Sequence, residues 1–184
     1  MNVGKQFEAD WKRSIPTKTA WYYRLRDSGA TYYGGGDNLR FSVDNLCDCI
    51  VYKYPCIYLF ELKTCDTPSI PLQNILGAYD KDTGRYRKCK HLIEMTDAEA
   101  FKGVGAFVVI YFRGNVNRTF AVSADKIYKL VYRSDFNRKS IPWQWCEENG
   151  VEVGMKLRRV HYDYDVEGLL NALKKSNDVM KCID

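Results

Sequence analysis

The chain has 184 residues, of which 28 are lysine or arginine and 23 are aspartate or glutamate, so its formal net charge is +5. Hydrophobic residues make up 46% and charged residues 28%, which are globular values and exclude the disordered and fibrous classes. Its apolar runs are shorter than the roughly 18 residues that a membrane helix needs, and residues 1–12 lack the apolar core of a signal peptide. We therefore expect a soluble, cytoplasmic protein with a single domain over residues 1–184.

The cysteine content supports the same compartment. Seven cysteines lie at irregular spacing, whereas a secreted disulfide framework is typically even in number and patterned. Cys47 and Cys49 form a short pair, but no second pair or histidine cluster completes four zinc ligands. We expect reduced thiols and no metal–thiolate site.

The predicted elements alternate between strands and helices. Val3, Phe7 and Trp11 recur every four residues, which indicates a first helix that ends before Pro16. Residues 28–38 include three successive glycines and are expected to form a flexible loop. The predicted strands are, in chain order, Trp21–Leu25, Asp48–Tyr52, Cys56–Thr64, Val104–Phe112 and Arg118–Val122.

Further helices follow from their start signals. They are predicted after Pro71, at Asp97–Phe101, from the N-cap Ser123 through Tyr132, and after the N-cap Asp165. The stretch Ser134–Gly154 is expected to be rich in loops. Together these elements predict an α/β domain with a mixed sheet flanked by helices.

Two charged residues interrupt the strand Cys56–Thr64. Because side chains alternate along a strand, Glu61 and Lys63 share a face at the end of a mostly apolar strand. A buried carboxylate is costly unless it meets a cation, and a divalent metal shared with a second acid would remove that cost. Asp48 supplies this acid, because the predicted hairpin returns it to about the height of Glu61 or Lys63. Asp44 is an alternative through a bulged strand, although the spacing favours Asp48.

Two carboxylates and an amine at one hairpin end suit metal-assisted hydrolysis of a phosphodiester. Carboxylate oxygens hold a hard cation such as Mg²⁺, which lowers the pKa of a bound water and neutralises charge on the phosphate. A lysine can orient the water or stabilise the transition state. Periodicity alone leaves another interpretation open, in which Asp48 is a turn residue and Glu61 and Lys63 form a solvated ion pair.

The motif Asp48…Glu61-Leu-Lys63 resembles the core of the PD-(D/E)xK nucleases. The longer segment from Asp48 to Asn74 ends in Pro-Leu-Gln-Asn and is similar to Holliday-junction resolvases of the recombination protein U type. This resemblance implies a single nuclease domain with a restriction-endonuclease-like α/β fold, a central mixed β-sheet flanked by helices, and a metal core at about residues 44–75. It also implies a homodimeric, Mg²⁺-dependent endonuclease, with Mn²⁺ as a substitute, that resolves four-way DNA junctions in recombination and repair. Its setting would be the cytoplasm of a bacterial cell or of a phage-infected host.

The resemblance also implies roles for individual residues. Asp48 and Glu61 match the metal-binding acids, and Lys63 matches the catalytic lysine. Glu8 matches an N-terminal acid that joins the metal site, and Gln73 matches a glutamine near the scissile phosphate. One departure concerns the protruding segment that enters the junction in this family, since it is shortened here to residues 28–38.

Cations around this motif are candidates for phosphate contacts. One group flanks the glycine-rich loop and consists of Arg24, Arg26 and Arg40. The other lies in a basic connector and consists of Lys81, Arg85, Arg87 and Lys88. An ordinary solvated face explains the connector equally well. Two alternatives to a resolvase stay open, namely a sequence-specific or repair endonuclease on the same core and a catalytically silent DNA-binding module.

Overall fold

The computed structural model describes residues 2–25, 45–77, 79–80, 85–86, 89–133 and 137–175. Within these ranges the helices are α1 (Val3–Arg13), α2 (Gln73–Leu76), α3 (Lys90–Ala98), α4 (Ala124–Arg133), α5 (Trp143–Asn149) and α6 (Val166–Lys175). The strands in the same ranges are β1 (Trp21–Arg24), β2 (Cys49–Lys53), β3 (Cys56–Cys65), β4 (Ser69–Pro71), β5 (Tyr79–Asp80), β6 (Arg85–Tyr86), β7 (Val104–Phe112), β8 (Arg118–Ser123), β9 (Ser140–Pro142), β10 (Val151–Val153), β11 (Met155–Leu157) and β12 (Tyr162–Tyr164). None of these helices is long and apolar enough to cross a membrane.

Six of these strands form a central sheet in the order β1-β2-β3-β7-β8-β10. Strands β3 and β7 are parallel, whereas the other neighbours are antiparallel, so the sheet is mixed. Parallel neighbours require a crossover connection, and the segment that contains α2 and α3 provides it. The predicted fold class, an α/β fold with a central mixed sheet flanked by helices, is confirmed.

Helices cover both faces of this sheet. On one face, which we call the α1/α6 face, Phe60, Val109 and other strand residues pack with apolar side chains of α1 and α6. On the other, the α3/α4 face, Val108 and Ile110 pack with Leu92 of α3 and other helical residues. The continuous apolar run of β7 was expected to be covered on both sides, and all its residues except Val104 are buried.

Three predicted elements need correction. The stretch Ser134–Gly154 was expected to be rich in loops, yet it contains α5 between the short strands β9 and β10. Its apolar side chains explain the difference, because Ile141 and Cys146 are buried in the core of the α3/α4 face. The helix predicted at Asp97–Phe101 instead spans Lys90–Ala98, where it buries Leu92 and Met95.

The third correction concerns the start of α4. Ser123 precedes the helix as predicted, but its hydroxyl donates to Oε2 of Glu99 at 3.1 Å. The same carboxylate oxygen accepts from the backbone N–H of Asp125 at 2.9 Å, so Glu99 of a neighbouring segment caps the helix. Asp165 behaves as predicted, since its Oδ1 accepts from Gly168 N at 2.8 Å in α6. The predicted loop at residues 28–38 lies outside the described residues.

Candidate functional site

The open end of the β2–β3 hairpin brings Asp48 and Glu61 together. Cys49 pairs with Phe60 in the ladder, and the next step of the same register sets Asp48 opposite Glu61. The Asp48 N–H donates to Phe60 O at 3.1 Å, which holds this last step in place. Residues directly opposite each other in an antiparallel pair lie on the same face, so the two carboxylates share the α3/α4 face, as the hairpin spacing predicted.

Asp48 also replaces a bond of the ladder. Strand β2 begins only at Cys49, and beyond it the backbone N–H of Leu62 donates to Oδ2 of Asp48 at 2.7 Å. The Asp48 carbonyl accepts from Leu25 N at 3.0 Å. Asp48 is therefore fixed from both neighbouring strands, and one of its carboxylate oxygens is directed at β3.

Glu61 and Lys63 lie side by side on β3, as alternation along the strand predicted. The Lys63 Nζ is 2.6 Å from Oε1 of Glu61, and both side chains are mostly shielded from solvent. An ion pair in this environment avoids the cost of a buried unpaired charge. The pair leaves the second oxygen of Glu61 for another cation.

The Asp48 carboxyl holds its proton more strongly than an ordinary aspartate. Burial, together with the negative charge of Glu61, raises the pKa of Asp48 to about 6, against the opposing effects of the Leu62 N–H and Lys63. Glu8 adds a smaller upward effect on the same group. Ionising both carboxylates is therefore costly here, and a bound cation would offset that cost.

Lys63 and Cys47 are excluded as bases or nucleophiles by their electrostatics. Burial works against the Lys63 ammonium, yet the charges of Glu61 and Asp48 prevail and the pKa of Lys63 is raised above its ordinary value. Burial, with Glu61 and Asp48 nearby, raises the pKa of the Cys47 thiol to about 12. Lys63 is therefore a permanent cation at neutral pH, and Cys47 is an inert thiol.

Glu8 approaches this site from α1, in the layer on the opposite side of the sheet. The Arg24 guanidinium of β1 forms an ion pair with Oε2 of Glu8. That oxygen is buried and accepts no hydrogen bond from the residues that the structure describes. Sequence reasoning assigned Arg24 to a DNA phosphate and did not foresee that it contacts Glu8, because the two residues belong to separate elements.

A cavity of about 280 Å³ opens on the α3/α4 face beside the ion pair. Glu61 and Lys63 line it from β3, and Gln73 lines it from the start of α2. The same cavity is lined by Asn74 and by His91 of α3. Sequence analysis singled out Gln73 but not His91, since nothing in the local pattern links α3 to the hairpin.

The oxygen donors fit a hard divalent cation better than a soft one. Among the described residues, no set of three or more histidine, cysteine, aspartate or glutamate side chains is arranged to hold a metal ion. Mg²⁺ commonly uses one or two protein carboxylates and completes its shell with water and phosphate oxygens. Asp48 and Glu61 supply two such carboxylates. Glu8 is held by Arg24 through Oε2, so it would join a cation there only on leaving that ion pair or through its other oxygen.

Most of the other predicted cations lie outside the described residues. This holds for Arg26, Arg40, Lys81, Arg87 and Lys88, and also for the alternative acid Asp44. The backbone of Arg85 is described in β6, which pairs with β5. The assignment of these residues to DNA contacts stays a prediction.

Two comparisons with known proteins give matches. The chain is 26% identical over 184 residues to the SPbeta prophage-derived uncharacterized protein YotM of Bacillus subtilis (strain 168), a match that covers 95% of this chain and 88% of that protein. Among solved structures, it resembles Hjc of Archaeoglobus fulgidus, described as a Holliday junction resolvase from an archaeal hyperthermophile, with a TM-score of 0.45 and 15% identity over 81% of this chain and 95% of that one. No model of a known protein family matches the chain. These similarities are too low to assign a family or an activity.

Proposed function

We propose that the chain is a Mg²⁺-dependent endodeoxyribonuclease of the restriction-endonuclease-like class that cuts branched DNA, with the four-way junction as its principal substrate. The observation that carries the proposal is the meeting of Asp48, Glu61 and Lys63 on one face at the open end of the β2–β3 hairpin. This arrangement accompanies the sequence resemblance to junction resolvases of the recombination protein U type. The similarity to a prophage-derived protein supports a phage origin, and the role in recombination follows from the resemblance to junction resolvases.

Each residue of the site has a definite task in this proposal. Asp48 and Glu61, with Glu8, would hold the cation, and Mn²⁺ could replace Mg²⁺ there. When bound, the cation would supply Lewis-acid stabilisation of the phosphate and an acidified water. Lys63 is fixed by Glu61 at 2.6 Å and stays protonated, so it stabilises negative charge on the phosphate and does not take up a proton.

Gln73 has a positioning task. It begins α2 and lines the cavity that Glu61 and Lys63 also line. Its amide can donate to and accept from groups bound there. We assign it to holding the scissile phosphate or the attacking water beside Lys63.

Cleavage of defined DNA tests this function. Purified protein with Mg²⁺ is incubated with a labelled four-way junction and with linear duplexes of the same arm sequences. We expect symmetric nicks in the junction only, and loss of at least about 100-fold in rate for Glu61→Gln, because both the cation site and the partner of Lys63 are changed. Glu94→Gln is the matched control, since Glu94 is a partly exposed residue of α3 paired with Lys90.

The other outcomes separate the alternatives. Cutting of the linear duplex at a fixed sequence would replace the resolvase with a sequence-specific endonuclease. Tight DNA binding without cutting under Mg²⁺ or Mn²⁺ would leave a catalytically silent module. An unchanged rate for Glu61→Gln would show that the nuclease activity does not come from this site.

A further inference from the structure

A second candidate DNA-binding surface lies at the hairpin of β11 and β12. The connection between these strands is closed by the Arg158 N–H, which donates to His161 O at 2.7 Å. Two apolar side chains of this hairpin are exposed to solvent: Leu157 is 63% exposed and Val160 is 80% exposed. The same few residues include the exposed cations Lys156, Arg158 and Arg159. Exposed apolar side chains among cations are typical of surfaces that enter nucleic acid at unstacked steps.

A cavity of about 550 Å³ lies beneath this hairpin, and its lining combines aromatic side chains with polar and charged ones. Tyr111 of β7 contacts Tyr162 of β12, with ring centroids 5.5 Å apart and planes inclined by 66°. Phe7 of α1 contacts Tyr111 at 5.8 Å. Phe7 and Tyr111 are buried in the core beneath the cavity, whereas Tyr162 is partly exposed and its ring is accessible for stacking with a nucleobase.

Two amide side chains that line the cavity each have a polar group that can serve a ligand. The hydroxyls of Tyr111 and Tyr162 donate to Oδ1 of Asn117 at 3.0 and 3.1 Å. The amino group of Asn117 donates to none of the described residues. Gln6 donates its amino group to Asp10 at 2.7 Å, and its carbonyl oxygen has no donor there. An amide N–H and an amide C=O in one cavity match the mixed hydrogen-bonding edge of a nucleobase.

This cavity lies at the same end of the sheet as the candidate nuclease site, but on the α1/α6 face. In the parallel ladder Tyr111 pairs with Thr64, the residue that follows Lys63. Helix α1 serves both places, since Gln6 and Phe7 line the cavity and the charge of Glu8 raises the pKa of Asp48 in the candidate nuclease site. A DNA strand that crosses this end of the sheet can therefore reach both.

We infer that the cavity between α1, β7 and the β11–β12 hairpin binds one unstacked nucleobase of the DNA substrate, while Arg159 and Lys156 of the hairpin contact the flanking phosphates. This inference rests on the proposed function in one respect, that the ligand is DNA. A branch point offers such bases, because pairs next to it open more readily than those within a duplex. The surface thus provides a means to recognise branched over linear DNA that does not depend on residues 28–38.

Photocrosslinking locates the base directly. A 5-iododeoxyuridine is placed at the branch of a four-way junction, and in a second probe as an unpaired base in a duplex, and each is irradiated with the protein in EDTA. We expect adducts on Tyr162 when peptides are mapped by mass spectrometry, because its ring is the partly exposed one. Arg159→Ala is expected to weaken junction binding about three- to tenfold. It should also reduce by about one the slope of the logarithm of the binding constant against the logarithm of salt concentration. Lys129 is an exposed cation of α4, and Lys129→Ala is expected to leave both quantities unchanged.

The outcomes separate this inference from the proposed function, because cleavage is not measured. Junction binding with adducts elsewhere, and with an unaltered affinity for Arg159→Ala, overturns the inference and leaves the nuclease proposal intact. Absence of any DNA binding overturns both. A third experiment iodinates the exposed tyrosines in the presence of free deoxynucleoside monophosphates. If these nucleotides protect Tyr162 from iodination and neither DNA probe gives an adduct, the ligand is a free nucleotide and the assignment to DNA is overturned.

Discussion

Asp48 stores unfavourable electrostatic free energy in the metal-free protein. Burial and the charge of Glu61 raise its pKa from 3.8 to about 6, so the folded chain binds this proton more tightly than the unfolded chain. The free energy of unfolding therefore falls as pH rises from about 4 to about 6 and stays lower above that range. The site gives up stability at neutral pH, as is common where charges are gathered for binding.

We expect Asp48→Asn to remove this pH dependence. The asparagine carbonyl can still accept from Leu62 N, so the free energy of unfolding at pH 7 is expected to rise by roughly 1 to 3 kcal/mol relative to the unmodified protein. Urea denaturation in EDTA at several pH values between 4 and 8 measures it. Asp97→Asn, at an exposed position of α3, serves as the control. An unchanged slope in Asp48→Asn would show that the linkage comes from other groups.

The residue pattern predicted one part of this site and not another. Alternation along β3 and the short turn were enough to bring Glu61, Lys63 and Asp48 to one face, since strand geometry is local and periodic. The ion pair of Glu8 with Arg24 and the position of His91 were not predictable in this way. They depend on how α1 and α3 pack on the sheet, and packing has no short-range signature in the sequence.

At the scale of elements, sequence patterns worked where an element is long or strongly apolar. The nine residues of β7 were predicted with their bounds because their burial on both faces demands a continuous apolar run. Helix α5 was missed because it has only seven residues and its buried Cys146 follows two tryptophans without a helical period. The start of α4 shows a similar limit, since its cap is the side chain of Glu99, which is close in space but distant along the chain.

Helix α1 is joined to the β11–β12 hairpin through a buried carboxylate. Asp10 is 1% exposed. It accepts from Tyr162 N at 3.0 Å and from the side chains of Gln6 and Arg13. A second link is the Tyr164 N–H, which donates to the Ser14 hydroxyl at 2.9 Å. These bonds set the position of the helix that carries Glu8 and of the hairpin above the aromatic cavity.

We expect Asp10→Ala to lower the free energy of unfolding by roughly 1 to 3 kcal/mol, because it leaves the partly buried Tyr162 N–H without its acceptor and removes the bonds from Gln6 and Arg13. Urea denaturation at pH 7 measures the change. Asp66→Ala is the control, since Asp66 pairs with Arg113 but its side chain is largely exposed, and its loss should have an effect below about 1 kcal/mol. Equal effects of the two substitutions would contradict the anchoring role of Asp10.

At the scale of the whole molecule, an exposed aromatic surface lies on the edge of the sheet. Trp21 and Tyr23 of β1 stack at 5.7 Å with nearly parallel rings, and they are 57% and 48% exposed. Across the ladder, Tyr52 and Ile57 add exposed apolar area on the same face. Exposed apolar area of this kind is typical of an interface. The proposed pair of symmetric cuts in a junction would require two copies of the candidate site.

We therefore expect the chain to form a homodimer through this face. The double substitution Trp21→Asp and Tyr23→Asp is expected to weaken the dimer at least about tenfold, because each copy would place two carboxylates against those of its partner. Sedimentation equilibrium over a range of protein concentrations measures the dissociation constant. Val3→Asp is the matched control for the protein without DNA, since Val3 is an exposed apolar residue of α1 on the opposite layer and also lines the cavity assigned to a nucleobase. A monomer in the unmodified protein, with or without junction DNA, would contradict the dimer, and a dimer that survives both substitutions at β1 would assign the interface to another surface. If the dimer is lost, single nicks should replace paired cuts in the junction while the rate per site on a nicked junction is retained.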